Sequence, residues 1–134
     1  MLDKSMIKNF FKGREFIHFL TLKPPRDTSR DEEVGKLANY LTKRQCKFWI
    51  VKCKSDKDFI HYHGLVSYPN DTLPDKMEAN KLAFQRKVNR DIGFSYPLQQ
   101  AQSLDDIYKY VHNPSNAPIW EALDNHSIQE CIAI

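Results

Sequence analysis

The chain has 134 residues, a formal net charge of +3 and 41% hydrophobic residues, which is typical of one folded domain over residues 1–134. It has no apolar run long enough to cross a membrane and no Gly-rich phosphate loop, which excludes a helical membrane protein and the common ATP-driven motors. Three widely spaced cysteines suggest no disulfide framework, so we expect a reducing, intracellular compartment.

The first elements are predicted from alternation and helical spacing. Residues 14–23 alternate as a strand, which two prolines end. Ser29 and Glu32 form a capping-box pattern, and apolar positions at helical spacing predict a first helix to about Arg44. The later predicted elements are a strand at 47–54, a polar turn at 55–58, a strand at 59–68, a helix from Pro74, a strand at 93–100 with an edge or bulge at Pro97, a helix from Ser103 that Pro114 ends, and one short helix in the tail from Ile119.

The predicted order is β-α-β-β-α-β-α, with the second and third strands joined as a hairpin. This order predicts an α+β fold, a ferredoxin-like or RRM-like sandwich in which helices pack on a central antiparallel sheet. The two ends of the chain are expected to be its loosest parts. Because this fold hosts many functions, the function has to be argued from particular residues.

His61 and His63 lie two residues apart in the predicted third strand. Side chains alternate faces along a strand, so both imidazoles should emerge on one face and Tyr62 on the other. Two neutral imidazoles side by side form half of a metal site. The same pattern is also typical of half-buried polar residues, so both interpretations stay open at this point.

The helix after Ser103 separates its two tyrosines. Leu104, Ile107, Tyr108 and Val111 have i, i+3, i+4, i+7 spacing and form one apolar stripe, which predicts that Tyr108 packs in the core. Tyr110 is two positions further on, about 200° around the helix, and leaves that stripe. It is therefore either a candidate for chemistry or an amphipathic surface tyrosine.

Taken together, three segments resemble the motifs of rolling-circle replication initiators. Phe19-Leu20-Thr21-Leu22 is similar to their first motif, and His61-Tyr62-His63 is similar to their His-hydrophobic-His metal motif. Residues 106–113, Asp-Ile-Tyr-Lys-Tyr-Val-His-Asn, are similar to their tyrosine helix. The three segments occur in the family order, and they resemble the HUH endonuclease domain of small plasmid and single-stranded DNA virus initiators.

The resemblance implies a site-specific nickase and ligase that acts on single-stranded DNA, such as an origin stem-loop. Tyr110 would be the nucleophile that becomes joined to the 5′-phosphate, and His61 and His63 would bind Mn²⁺ or Mg²⁺. The resemblance also implies a helicase as a partner, either in trans or in a longer parent chain. It implies no association with a membrane. The implied location is the host cytoplasm for a plasmid or phage and the host nucleus for a eukaryotic virus.

Two positions depart from the family pattern. The family supplies a third, carboxylate ligand, for which Asp58 is favoured, although its strand parity is wrong unless a turn or bulge redirects it. Cys53 is the alternative, a softer ligand better suited to zinc. Asn113 stands where many viral members have lysine three residues after the tyrosine.

Other functions stay open on the sequence alone. One is a non-catalytic single-stranded nucleic-acid-binding module on the same fold. Another is a small single-strand transposase, although Pro114 stands where those enzymes have glutamine. Two groups of basic residues are expected to be solvated faces that contact DNA phosphates if the site lies nearby: Lys43, Arg44 and Lys47, and Lys76, Lys81, Arg86, Lys87 and Arg90.

Overall fold

The structure is a computed structural model that describes residues 2–26, 28–55 and 59–133. Its strands are β1 Phe16–Lys23, β2 Lys47–Lys54, β3 Ile60–Tyr68, β4 Phe94–Ser95, β5 Gln99–Gln100 and β6 Pro118–Ala122. Its helices are α1 Lys4–Phe11, α2 Asp31–Lys43, α3 Pro74–Asp91, α4 Leu104–Val111 and α5 Asn125–Ala133, with a 3₁₀ turn at Pro114–Asn116.

Within the described residues, the six strands form one antiparallel sheet in the order β4-β1-β3-β2-β6, and β5 also pairs with β1. The predicted α+β class is confirmed, and the order of the strands within the sheet is compatible with a ferredoxin-like sandwich. β2 and β3 form the expected hairpin, in which Val51 lies opposite His63 and Cys53 opposite His61. The histidine strand is therefore central, with β1 on its other side.

Helices cover both faces of the sheet. Helices α2, α3 and α5 pack on one face, in a core that includes Leu20, Tyr62 and Phe84. Helices α1 and α4 pack on the other face, around Trp49 and Leu65. No helix within the described part of the chain is both long and apolar enough to cross a membrane.

Tyr62 anchors the start of α2 to the sheet. Its hydroxyl donates to Asp31 Oδ1 over 2.6 Å, and Lys52 Nζ lies 2.9 Å from Oδ2 of the same carboxylate. Burial acts to raise the pKa of Asp31, but the hydrogen bonds from Tyr62, Lys52 and Ser29 together lower it. Burial and the Asp31 carboxylate raise the pKa of Tyr62, so this phenol stays protonated and donates.

The same network explains why the predicted capping box is wrong. Arg30 occupies the N-cap position of α2 and makes no side-chain cap hydrogen bond. Ser29 Oγ donates instead to Asp31 Oδ1 over 2.9 Å, so it is drawn into the Tyr62 cluster rather than to a backbone amide.

Two predictions about the later strands need correction. The strand expected at 93–100 is split into β4 and β5, because Pro97 interrupts it. Both pieces pair with β1 at the edge of the sheet, in agreement with the edge or bulge predicted at Pro97. The tail from Ile119 does end in a helix, but β6 precedes that helix and adds an outer strand beside β2.

The sequence predicts no helix or strand before residue 14, but the structure has α1 there. Asp3 Oδ1 accepts from the Met6 amide over 2.9 Å and caps α1. Ile7 and Phe11 are buried against the sheet, so this helix is part of the core.

Candidate active site

The two histidines emerge together on the α1/α4 face of β3. Their ring centroids are 4.6 Å apart with the planes at 76°, and the residues are 8% and 3% exposed. Tyr62 between them packs into the opposite core. The predicted arrangement, two imidazoles on one face and the tyrosine on the other, is confirmed.

His63 is held as a neutral ring. Burial, with repulsion from His61 as the next cause, lowers its pKa to about 3. Thr21 lies opposite His63 in the β1–β3 ladder, which places its Oγ1 3.2 Å from the imidazole Nδ1. Phe19 stacks on the ring at 5.8 Å between centroids. A neutral imidazole whose Nδ1 is engaged presents Nε2 to a ligand, which is what metal binding requires.

The two tyrosines of α4 separate as predicted. Tyr108 lies in the apolar stripe, stacks on Trp49 at 6.2 Å, and donates its hydroxyl to the carbonyl of Leu2 over 3.0 Å. Tyr110 is 54% exposed and lies on the histidine side, with its ring centroid 5.3 Å from that of His63. The structure thus brings Tyr110 and the histidine pair together, although about fifty residues of sequence separate them.

Asn116 is a site residue that sequence reasoning missed. Its Oδ1 lies 3.1 Å from His61 Nε2, and its Nδ2 donates to the carbonyl of Tyr110. The available signal was Pro114: a proline that ends a helix often begins a tight turn, and this turn carries Asn116 back towards β3. Asn113, which stands where many viral initiators have lysine, accepts from the amide and hydroxyl of Ser115 and stabilises that turn.

The predicted third ligand, Asp58, lies outside the described residues. The alternative, Cys53, is buried, and burial followed by the nearby Glu121 carboxylate raises its thiol pKa to about 12, which disfavours the thiolate that binds metals. Among residues 2–26, 28–55 and 59–133, no three His, Cys, Asp or Glu side chains are grouped as a metal site. The donor set in this part of the chain therefore fits half of a divalent metal site, supplied by His61 and His63.

His61, His63, Tyr110 and Asn116 line one cleft of about 630 Å³. Its rim carries both cations and aromatic rings. Lys23 Nζ lies 3.4 Å from the hydroxyl of Tyr96 and 5.1 Å from its ring centroid, and Arg26 lies 4.9 Å from the ring centroid of Phe59. Phe94, which does not itself line the cleft, meets Tyr96 edge to face at 4.9 Å, and both rings are about half exposed. Such a rim suits a flexible polyanion with flat bases.

The basic residues predicted on the second helix lie elsewhere. They belong to α3, whose apolar residues pack on the opposite face of the sheet. Lys81 pairs with Glu78, and Lys87 and Arg90 pair with Asp91. Among the described residues, the cations that line the cleft are Lys23 and Arg26 instead, because the end of β1 and the segment after it run along its rim.

Comparisons of the chain with protein-family models, with curated proteins and with solved structures found no match.

Proposed function

We propose that this chain is an HUH-type endonuclease and ligase for single-stranded DNA, with Tyr110 as nucleophile. The single observation that carries the proposal is the 5.3 Å between the ring centroids of Tyr110 and His63, in a cleft that also contains His61. A half-exposed tyrosine beside a buried pair of imidazoles places a potential nucleophile next to two potential metal ligands in one cleft, and this combination supports phosphoryl transfer as the reaction class.

The proposed reaction is a transesterification. The phenolic oxygen of Tyr110 forms a bond to the scissile phosphorus while the bond from phosphorus to the 3′ oxygen breaks. The phenolic proton is lost, the 3′ oxygen gains a proton, and the 5′-phosphate stays on the tyrosine. Because the phosphotyrosine bond conserves the energy of the phosphodiester, the reverse attack by a 3′-hydroxyl rejoins the strand.

The other side chains position these groups. His61 and His63 would hold a divalent cation, Mn²⁺ or Mg²⁺, which would polarise the phosphate and offset charge on its oxygens. Thr21 fixes the ring of His63 through Nδ1. Lys23 and Arg26 would contact the flanking phosphates, and Tyr96 would stack a base, so that binding weakens as salt increases.

The biological role proposed with this chemistry is the nicking of an origin stem-loop to start rolling-circle replication. A helicase would then unwind the duplex beyond the nick. Both statements rest on the resemblance of the three motifs to replication initiators.

The test is a search for a covalent adduct. Wild-type protein is incubated with single-stranded DNA of mixed sequence and Mn²⁺, denatured, and analysed for protein-bound DNA by gel and peptide mass spectrometry. We expect an adduct on Tyr110 that the Tyr110→Phe variant lacks. The matched control is Tyr108→Phe, which removes only the hydroxyl that bonds Leu2 and should keep the adduct.

An adduct that maps to Tyr108, or one that persists in Tyr110→Phe, would refute the assignment of the nucleophile. Adduct formation that survives complete chelation would refute the metal role.

A second candidate is a binding module without catalysis, favoured by one observation. Phe94, Tyr96 and Lys23 form an exposed aromatic and cationic surface that needs no metal to hold a single strand. Salt-sensitive DNA binding that is unchanged by chelation, without an adduct on any substrate of an origin library, would favour this candidate.

A further inference from the structure

We infer that the amide oxygen of Asn116 is the third protein ligand of the cation held by His61 and His63. The inference rests on the metal role in the proposed function and supplies an oxygen donor within the described part of the chain. Both ring nitrogens of His61 face oxygen acceptors. Nδ1 lies 3.2 Å from the carbonyl oxygen of Phe59, and Nε2 lies 3.1 Å from Oδ1 of Asn116.

A neutral imidazole has one N–H, so only one of these two contacts can be an ordinary hydrogen bond. If Nδ1 donates to the backbone carbonyl of Phe59, Nε2 presents a lone pair and no proton beside the Asn116 amide oxygen. Two acceptors this close repel each other, and a cation bound beside both would relieve the repulsion by accepting an electron pair from each. An Nδ1–H bond to a backbone carbonyl is also the usual way in which a metal-bound histidine is oriented.

The amide cannot relieve this contact by rotating about its terminal bond. Its Nδ2 donates to the carbonyl of Tyr110, and the backbone amide of Asn116 donates to the carbonyl of Asn113 over 2.8 Å. A half-turn of the side-chain amide would direct Oδ1 at the Tyr110 carbonyl and create a new repulsion. Asn116 is also only 8% exposed, so its oxygen is held in place towards His61.

The spacing suits shared coordination. Two ligands at right angles around an octahedral ion, each at 2.0–2.1 Å, lie about 3 Å apart. The 3.1 Å between His61 Nε2 and Asn116 Oδ1 has that value. An amide oxygen is a hard donor of the kind that Mg²⁺ and Mn²⁺ accept, and two imidazoles with one oxygen make a mixed N/O set. Because the same amide holds the Tyr110 carbonyl, one side chain would link the cation to the helix that carries the nucleophile.

The experiment measures Mn²⁺ binding directly, by isothermal titration calorimetry and by electron paramagnetic resonance, without DNA. Asn116→Ala should weaken Mn²⁺ binding by at least about tenfold, the scale on which even outer-shell partners of metal ligands act. Asn116→Asp should bind Mn²⁺ at least as tightly as the wild type, because its carboxylate keeps the oxygen donor and adds charge. Asn39→Ala, an exposed asparagine on α2, is the control for loss of an amide.

The two variants separate ligation from structure. A merely structural Asn116 would require the Nδ2 donor to Tyr110, so Asp and Ala would both weaken binding and both lower the melting temperature without metal. That result would overturn the inference, and so would wild-type Mn²⁺ affinity in Asn116→Ala. Loss of binding in Asp58→Asn with no change in Asn116→Ala would assign the third ligand to Asp58 instead.

The failures of the two proposals remain distinguishable. If Mn²⁺ binding depends on Asn116 but no adduct forms on Tyr110, the proposed nuclease function fails and the ligand assignment stands. If the adduct forms and Mn²⁺ binding does not depend on Asn116, the proposed function stands and the ligand assignment fails.

Discussion

Replacing Gly64 with alanine tests how closely β2 and β3 approach beside the histidines. Gly64 follows His63 in the central strand and has φ of +155°, a backbone conformation that residues with a Cβ rarely adopt. A Cβ at this position would overlap the carbonyl oxygen of Trp49, and it would lie 2.7 Å from the carbonyl carbon and 3.2 Å from Cα of Ile50. The obstacle is backbone of the neighbouring strand, which cannot rotate away as a side chain can.

Two costs follow from this geometry. Holding a residue with a Cβ in a sparsely populated backbone region costs about 1–3 kcal/mol. Forcing extra volume into a packed interior costs about 1–3 kcal/mol more. We therefore expect Gly64→Ala to lower the free energy of unfolding by about 2–6 kcal/mol, a large part of the 5–15 kcal/mol typical of a domain.

The assay is urea unfolding followed by circular dichroism, with two matched glycines as controls. Gly13 has φ of +86° and nothing within 4 Å of a built Cβ, so Gly13→Ala measures backbone strain alone, about 1–2 kcal/mol. Gly35 lies in α2, where a Cβ would meet the flexible end of Ile132, so Gly35→Ala measures a clash that can relax. If Gly64→Ala lowers the free energy of unfolding no more than Gly13→Ala does, the close approach of the two strands is wrong. If Gly64→Ala is the only one of the three variants that fails to fold, the close approach is supported.

Three further predictions concern the cleft and the pH dependence of stability. Tyr96→Ala should weaken binding of a single-stranded oligonucleotide by about 5- to 150-fold in fluorescence anisotropy, since stacking one base contributes about 1–3 kcal/mol. The control is Leu73→Ala, a substitution of an exposed residue outside the cleft, which should leave binding unchanged. Equal effects of the two substitutions would refute the stacking role. Thr21→Val removes the hydroxyl beside His63 Nδ1 and should lower Mn²⁺ affinity by about 10- to 100-fold in calorimetry; unchanged affinity would show that the hydroxyl does not orient the ring. The lowered pKa of Asp31 stabilises the fold above the ordinary aspartate pKa of about 3.9, and this stabilisation is lost as the pH falls through the lowered value. Below about pH 4, wild type should therefore lose more urea stability than Asp31→Asn, and parallel curves would contradict this.

Much of the sheet could be predicted because its signals are local. β2 and β3 are runs of eight and nine residues rich in aromatic and β-branched side chains, and a short polar segment separates them, which predicts a hairpin. The shared face of the two histidines follows from the two-residue period of a strand. The departure of Tyr110 from the apolar stripe follows from 100° per residue alone. None of these inferences needed knowledge of what packs against the element.

The elements that were missed depend on tertiary contacts. An eight-residue helix such as α1 is marginal on its own, and the burial of Ile7 and Phe11 is what supports it. β6 has five residues with mixed exposure, and its pairing with β2 joins segments that are distant in sequence. Asn116 was missed for the same reason, because its meeting with His61 depends on how a turn folds back against the sheet.

The position of β6 beside β2 also orders events during synthesis. Translation delivers β2 and β3 before α4 and β6, and as an adjacent hairpin they need to close only a short loop. The tyrosine helix and β6 follow later, so a growing chain carries the paired histidines before it carries Tyr110 or the strand that completes the sheet. We expect pulsed hydrogen exchange during refolding to protect amides at the β2–β3 pairing before those at the β2–β6 pairing. Under the proposed function, the two imidazole ligands are therefore synthesised before both the nucleophile Tyr110 and the proposed third ligand Asn116.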